Sequence, residues 1–174
     1  MKHVMLDLET LSSTAPGVIL SVGAVEFDSA FGLGKDFYYR VDVGSSLLHG
    51  LLVDPNTVAW WNEQSEEAKE AAFYYSGAEP LERVLYWFGK FVDKDTRLWA
   101  KGPDFDCVMM HAAYTAFGMK IPWSYRNTRD VRTMLALSGV KEMKGPGEHN
   151  ALYDARRQAQ AVVEAYEVLD KVME

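Results

Sequence analysis

Cysteine is nearly missing from this sequence: Cys107 is the single one in 174 residues. One thiol makes neither an intramolecular disulfide nor a thiolate metal site. Disulfide-stapled and zinc-thiolate scaffolds are therefore excluded, and a reducing cytoplasmic compartment is expected. Proline is also scarce, with six residues, and no low-complexity tract or composition break marks a linker. No run approaches the ~18 consecutive apolar residues of a membrane span. The opening Met1-Lys2-His3-Val4-Met5-Leu6-Asp7 lacks signal-peptide anatomy and passes directly into an acidic strand, so no membrane partner is expected. Repeats of ~20–50 residues are absent, which excludes solenoids and propellers. Positive charge is the last commodity in short supply. With 18 Lys and Arg against 25 Asp and Glu, the net charge is −7. That argues against a protein gripping nucleic acid by bulk positive charge, unless the carboxylates belong to a metal site.

What is present is ordinary globular material. At 48% hydrophobic and 25% charged residues, the composition is that of a folded domain, not a disordered chain. The length suits one domain over residues 1–174, able to bury about 70% of its surface. Residues 2–8 and 17–28 read as Val- and Ile-rich strands, and 35–42 as a third. Their short connections predict antiparallel pairing, because parallel strands need crossovers of a dozen or more residues. From Asp54 the pattern turns helical, through 64–74 and 79–92, the latter with Pro at an early helical position. A buried strand is expected at 97–101. Asp104 is expected to cap a helix reaching Ala116. A strand near 126–130 precedes a short helix from 131, and Asp130 there reads as a capping residue. The last helix, about 150–172, places Leu152, Ala155, Ala159, Val162, Val163, Tyr166 and Leu169 on one stripe. This order predicts an α/β architecture, a mixed sheet with helices packed on it.

Acidic residues gather at three places. Asp7 and Glu9 lie two apart on the first strand and leave the same face of the sheet. Carboxylates on a buried face are costly unless a cation neutralises them, although a strand end open to solvent would also tolerate them. Lys101-Gly-Pro-Asp104-Phe105-Asp106 lies where a strand gives way to a helix, the usual place for sites in open α/β sheets. Either acid there would equally serve the helix N-terminus. Third, His149-Asn150-Ala151-Leu152-Tyr153-Asp154 opens the last helix, with Asn150 as a cap. The preceding Lys144-Gly-Pro-Gly-Glu148 forms a loop able to hold an imidazole over a site. Four acids and a histidine at the mouths of different elements offer hard oxygen ligands suited to Mg²⁺ or Mn²⁺. Two such ions about 3.5–4 Å apart would stabilise both oxygens of a phosphodiester displacement. A histidine, which titrates near neutrality, is suited to deprotonate the attacking water.

Asp7-Leu8-Glu9-Thr10, then Phe105-Asp106, then His149 with Asp154 five residues on, resemble in order the DEDDh group of 3′→5′ exonucleases. That group has an RNase H-like fold and includes polymerase proofreading subunits and RNase T. The resemblance runs from residue 4 to about 160. Leu20-Ser21-Val22-Gly23-Ala24-Val25 is similar to the family's second strand, and Asp130-Val131-Arg132-Thr133 to the segment after its fifth. The stretch Thr57 to Gln64 is similar to phage and mycobacterial single-domain exonucleases and exoribonucleases.

The resemblance implies a mixed five-stranded sheet flanked by helices. It makes Asp7, Glu9, Asp106 and Asp154 the ligands of two Mg²⁺ or Mn²⁺ ions and His149 the general base. It also implies hydrolysis from the 3′ end of single-stranded DNA or RNA, with release of nucleoside 5′-monophosphates. One departure stands out: the family's second motif often begins with Asn, where this chain reads Gly102-Pro103. Asp104 competes with Asp106 for the role, and the aromatic residue before Asp106 favours the latter.

Thr10 and Leu11 follow the first motif, where similar enzymes contact the terminal nucleotide. Trp60 and Trp61 are candidates for stacking on a base, worth roughly 1–3 kcal/mol, and as sequence neighbours at most one of them faces substrate. Phe73, Tyr74, Tyr75, Cys107, Met109 and Met110 read as packing, and His3, His49 and His111 receive no role. Similar small exonucleases usually dimerise, so a homodimer is compatible with the resemblance, although no interface signature stands out. Two other readings are an RNase H-like endonuclease and a non-catalytic binding module. The His149/Asp154 pair argues against the first, and the competent chemistry at all five positions argues against the second. Residues 120–157 hold eight basic and four acidic residues, a local excess expected around the His149 loop.

Overall fold

The computed structural model describes residues 2–73, 76–143, 145 and 149–173. Among the described residues the strands and helices follow the expected order, three strands coming first. The strands are β1 (His3–Thr10), β2 (Ile19–Asp28), β3 (Gly32–Arg40), β4 (Arg97–Ala100) and β5 (Thr128–Asp130). The helices are α1 (Val43–Leu47), α2 (Pro55–Asn62), α3 (Glu66–Phe73), α4 (Leu81–Phe91), α5 (Asp106–Ala116), α6 (Val131–Ser138) and α7 (Ala151–Met173). The sheet order is β3-β2-β1-β4-β5. β2 pairs antiparallel with both β1 and β3, as the short connections predict. β4 runs parallel to β1, and β5 parallel to β4. The mixed sheet is therefore parallel across β1, β4 and β5, whose carboxyl ends share one edge. Ligand sites of open α/β sheets form at such an edge.

Strand alternation sorts β1 between two apolar layers. Val4, Leu6 and Leu8 join the larger core with Leu85 and Phe88 of α4 and Met109 and Met110 of α5. Met5 joins the smaller core with Val131 of α6 and Ala155, Ala159 and Val162 of α7. Asp7 and Glu9 continue the Met5 side, so the period of two aims both carboxylates towards α7. Opposite Asp7 on β2 stands Gly23. A Cβ there would lie 2.2 Å from the Ala151 carbonyl carbon and 2.3 Å from the Leu152 nitrogen. Only glycine lets the start of α7 rest this closely on the sheet beside Asp7.

Several details depart from the sequence-based expectations. Residues 43–47 form the short α1, capped by Asp42, whose carboxylate accepts from the Gly44 and Ser45 N–H groups. β3 starts at Gly32 and ends at Arg40, so Val41 and Asp42 lie beyond it. Asp104 does not cap α5; Phe105 occupies the cap position without a side-chain hydrogen bond, and Asp106 is the first helical residue. Residues 125–127 form a 3₁₀ turn before β5. Asp130 caps α6 through the Arg132 and Thr133 N–H groups, and Asn150 caps α7 through those of Leu152 and Tyr153. Cys107, Met109 and Met110 are buried, and Phe73 packs against the larger core. Tyr74, Tyr75 and most of the loop at 144–148 lie outside the described residues.

His3 is a satisfied core histidine. Its Nδ1 accepts from the Trp99 indole at 3.1 Å, and burial, then the nearby Arg97 charge, lowers its pKa to about 4. Among the described residues no helix is long and apolar enough to cross a membrane.

Candidate active site

Asp7 and Glu9 from β1 meet Asp154 from the first turn of α7. Each offers a carboxylate oxygen within 4.8 Å of the others. The three open on a cavity of about 410 Å³ together with His149, Lys101 and Gln158. Asp106, only 4% exposed, lies behind this group at the start of α5. It is not one of the three whose oxygens converge, and it accepts from the Leu8 N–H. Asp104 is exposed. Of the two acids that competed for the second motif, Asp106 is thus the one held among the buried carboxylates.

The electrostatics are those of acids crowded out of water. Burial raises the Glu9 pKa to about 8, with the charge of Asp106 adding to the shift. Burial likewise raises Asp106 to about 7, against the pull of the Leu8 N–H, its own backbone N–H and the Arg132 charge. Asp7 is pushed well up by burial and then by repulsion from Asp106 and Glu9, while a hydrogen bond from Gln158 and the charge of Lys101 oppose the rise. Three acids that resist ionising together form a strong donor set for a hard divalent cation, which would remove the repulsion. The donor chemistry fits Mg²⁺ or Mn²⁺.

His149 adopts a left-handed backbone, φ 65°, at the entry to α7. Its N–H donates to Asp154 Oδ2 at 3.0 Å, so the strained turn and the carboxylate fix each other. The His149 ring meets Trp60 edge-on at 5.0 Å and Trp61 at 5.8 Å between centroids. Arg157, one turn along α7, pairs with the other oxygen of Asp154. Lys101 pairs with Glu142 at 2.6 Å across the mouth.

A second cavity of about 380 Å³ adjoins through Glu9 and is lined by Thr10, Asn56, Trp60, Trp61 and Phe105. Trp60 is 41% exposed there and Trp61 only 2%, so one tryptophan of the pair presents a face. The Trp61 indole is anchored by donating to the Thr10 carbonyl at 2.9 Å. Leu11 is buried in the larger core and lines neither cavity.

Sequence reasoning missed Gln158 and gave no role to Lys101 or Arg157. Gln158 was detectable: it lies four residues after Asp154, hence on the same helix face, and it is a polar residue on the Ala155-Ala159-Val162 stripe. The ion pair of Lys101 with Glu142 spans 41 residues, and no local pattern encodes it.

The family described as the Rv2179c-like 3′-5′ exoribonuclease domain matches residues 2–166. None of the curated proteins matches. Among solved structures, the nuclease domain of 3′hExo, a DEDDh family member bound to rAMP, is 13% identical with a TM-score of 0.57, covering 95% of this chain and 92% of that one. E. coli Exonuclease I in complex with a dT13 oligonucleotide is 16% identical with a TM-score of 0.58, covering 98% of this chain and 40% of that one. Cell-death related nuclease 4 is 13% identical with a TM-score of 0.55, covering 95% and 64%.

Proposed function

We propose that this chain, which belongs to the Rv2179c-like 3′-5′ exoribonuclease domain family and is a 3′-5′ exonuclease of the DEDDh type, removes single nucleotides from the 3′ ends of single-stranded DNA and RNA as nucleoside 5′-monophosphates. Residues 1–174 act as one domain, in the cytoplasm. The observation that carries this reading is the convergence of Asp7, Glu9 and Asp154 within 4.8 Å beside His149, at the edge where the parallel strands end.

Asp7, Glu9, Asp106 and Asp154 would hold two Mg²⁺ or Mn²⁺ ions. Bound there, the ions would supply positive charge to the displacement. His149 takes a proton from the attacking water on a ring nitrogen as the water oxygen bonds to phosphorus and the bond to the upstream 3′ oxygen breaks. The backbone of His149, fixed to Asp154, and the two tryptophan rings hold the imidazole at the cavity wall. The second cavity takes the terminal nucleoside, with the exposed face of Trp60 against the base and Thr10 at its floor, while Leu11 supports that floor from the core. Stacking is tolerant of base identity, which suits stepwise degradation. Of the solved neighbours one holds rAMP and another dT13, so both sugars are compatible with the fold.

The test is digestion of matched single-stranded DNA and RNA oligonucleotides, labelled at either end, with Mg²⁺ or Mn²⁺. Mononucleotides released from the 3′ end, no cleavage of a closed circle, and loss of all activity in EDTA are expected. His149→Ala should lose most turnover at neutral pH. Cutting of the circle, or activity that survives EDTA, would refute the reading.

A further inference from the structure

The α7 stripe that packs on the sheet is made of small and apolar residues, Ala151, Ala155, Ala159 and Val162, each fully buried. Gln158 interrupts it and is itself only 4% exposed. Its Nε2 donates to Asp7 Oδ1 at 2.8 Å. Its Oε1 is buried with no hydrogen-bond partner among the described residues. A buried amide left half-satisfied is a poor packing element, and an apolar side chain of the same length would avoid the loss. Packing therefore does not account for glutamine here.

We propose that Gln158 is a positioning residue for Asp7: its amide holds Oδ1 so that Oδ2 is the oxygen offered to a divalent cation. The inference rests on the reading of the carboxylates as a metal site. Two of the other acids have comparable restraints. Asp154 is held by the His149 N–H and Arg157, and Asp106 by the Leu8 N–H. Gln158 supplies the donor for Asp7. An ionised Asp7 only accepts, so the amide must present its NH₂ end, which determines the orientation of both groups. A neutral amide is the apt donor, because it orients the carboxylate without cancelling the charge that a cation needs. Such outer partners of metal ligands typically govern about 10–100-fold in metal affinity or activity.

The test replaces the amide by a thioether of similar length, Gln158→Met, in the full chain, with Gln158→Leu as a second apolar variant. Mn²⁺ binding is titrated calorimetrically without nucleic acid, and thermal unfolding is followed without metal. The expected result is Mn²⁺ affinity about 10-fold weaker or more, in a chain that stays folded without metal. The Mn²⁺ concentration for half-maximal hydrolysis should shift in parallel, with the rate at saturating Mn²⁺ largely retained. Gln160→Met, on the exposed face of the same helix, should change none of these. Wild-type Mn²⁺ affinity in both apolar variants would overturn the proposal, as would a loss of hydrolysis that saturating Mn²⁺ does not restore. If the wild-type chain itself binds no Mn²⁺, the metal-site reading fails, and the proposal fails with it.

Discussion

Gly23 controls how close the start of α7 comes to Asp7, and Gly23→Ala tests whether that approach assembles the site. The added Cβ would meet the Ala151 carbonyl carbon at 2.2 Å, the Leu152 nitrogen at 2.3 Å and the Ala151 oxygen at 2.4 Å. All three are backbone atoms, so no side chain can rotate away. Ordinary carbon contacts begin near about 3.5 Å, so α7 or β2 must yield by about 1.3 Å. Asp154 lies three residues beyond Ala151, and His149 is tied to it through its N–H. The shift therefore moves Asp154 and His149 together away from Asp7 and Glu9. A displacement of about 1 Å at a catalytic group can cost about 10²-fold in rate, and overpacking a well-filled site costs roughly 1–3 kcal/mol. A domain of this size has about 5–15 kcal/mol of stability, so the variant should stay folded while kcat/KM falls about a hundredfold.

The assay is steady-state hydrolysis of a single-stranded oligonucleotide, with thermal unfolding followed on the same preparation. Gly34→Ala on β3, whose added Cβ meets nothing closer than Glu26 at 3.3 Å, is the control and should remain active. Near-wild-type activity in folded Gly23→Ala would refute the reasoning, because α7 could then stand off from the sheet without disturbing the acids.

Two further outcomes follow from the buried carboxylates. Glu9 is raised from 4.5 to about 8 and Asp106 from 3.8 to about 7, so between about pH 5 and 8 the metal-free folded protein retains protons that the unfolded chain has released. Its unfolding midpoint should therefore fall as pH rises through that window, and Mn²⁺ should remove the slope; a midpoint that rises with pH in EDTA would contradict it. Asp106→Ala should abolish most hydrolysis while raising the metal-free midpoint, because it relieves repulsion on Asp7 and Glu9. Asp104→Ala should change the rate less than about threefold, as expected for an exposed acid that lines neither cavity. Kinetics and thermal unfolding of the pair would expose the reverse pattern, which would move the role to Asp104.

The legible parts of this molecule are those with local codes. Alternation along β1 separates Leu6 and Leu8 from Asp7 and Glu9, and the two faces occupy opposite sides of the sheet. Asp130 and Asn150 act as caps, because a short acceptor before a helix bonds N–H groups two and three residues on. Asp104 had the same local credentials, yet the chain turns so that Phe105 takes the cap position. Gly102 in that turn has φ +106°, and the turn places Asp106 beneath β1, where the Leu8 N–H meets it. Tertiary contact overrides the local preference there.

The basic excess over residues 120–157 is not one surface. Arg156 pairs with Asp36 at 2.6 Å, Arg157 pairs with Asp154, and Lys120 borders a separate groove with Trp123. Arg156 finds its partner 120 residues away, which a local charge count cannot assign.

The acidic balance acquires a different meaning once the partners of each acid are known. Arg156–Asp36 and Lys101–Glu142 are ion pairs in which a positive charge largely satisfies the acid. Such pairs at partly exposed positions contribute little to stability and ask for nothing further. The inner acids are treated otherwise. Asp7 is held by an uncharged amide and Asp106 by backbone N–H groups. These donors orient the oxygens without supplying a counter-charge, and burial, which they only partly offset, raises the pKa of Asp106 to about 7. A cluster needed only for structure would be more stable with a guanidinium in place of that amide, because paired buried charges cost less than repelling ones. A divalent cation would lower the local energy further than Gln158, Lys101 and Arg132 do, and would tie folding stability, pH and metal binding at this site to the same set of carboxylates.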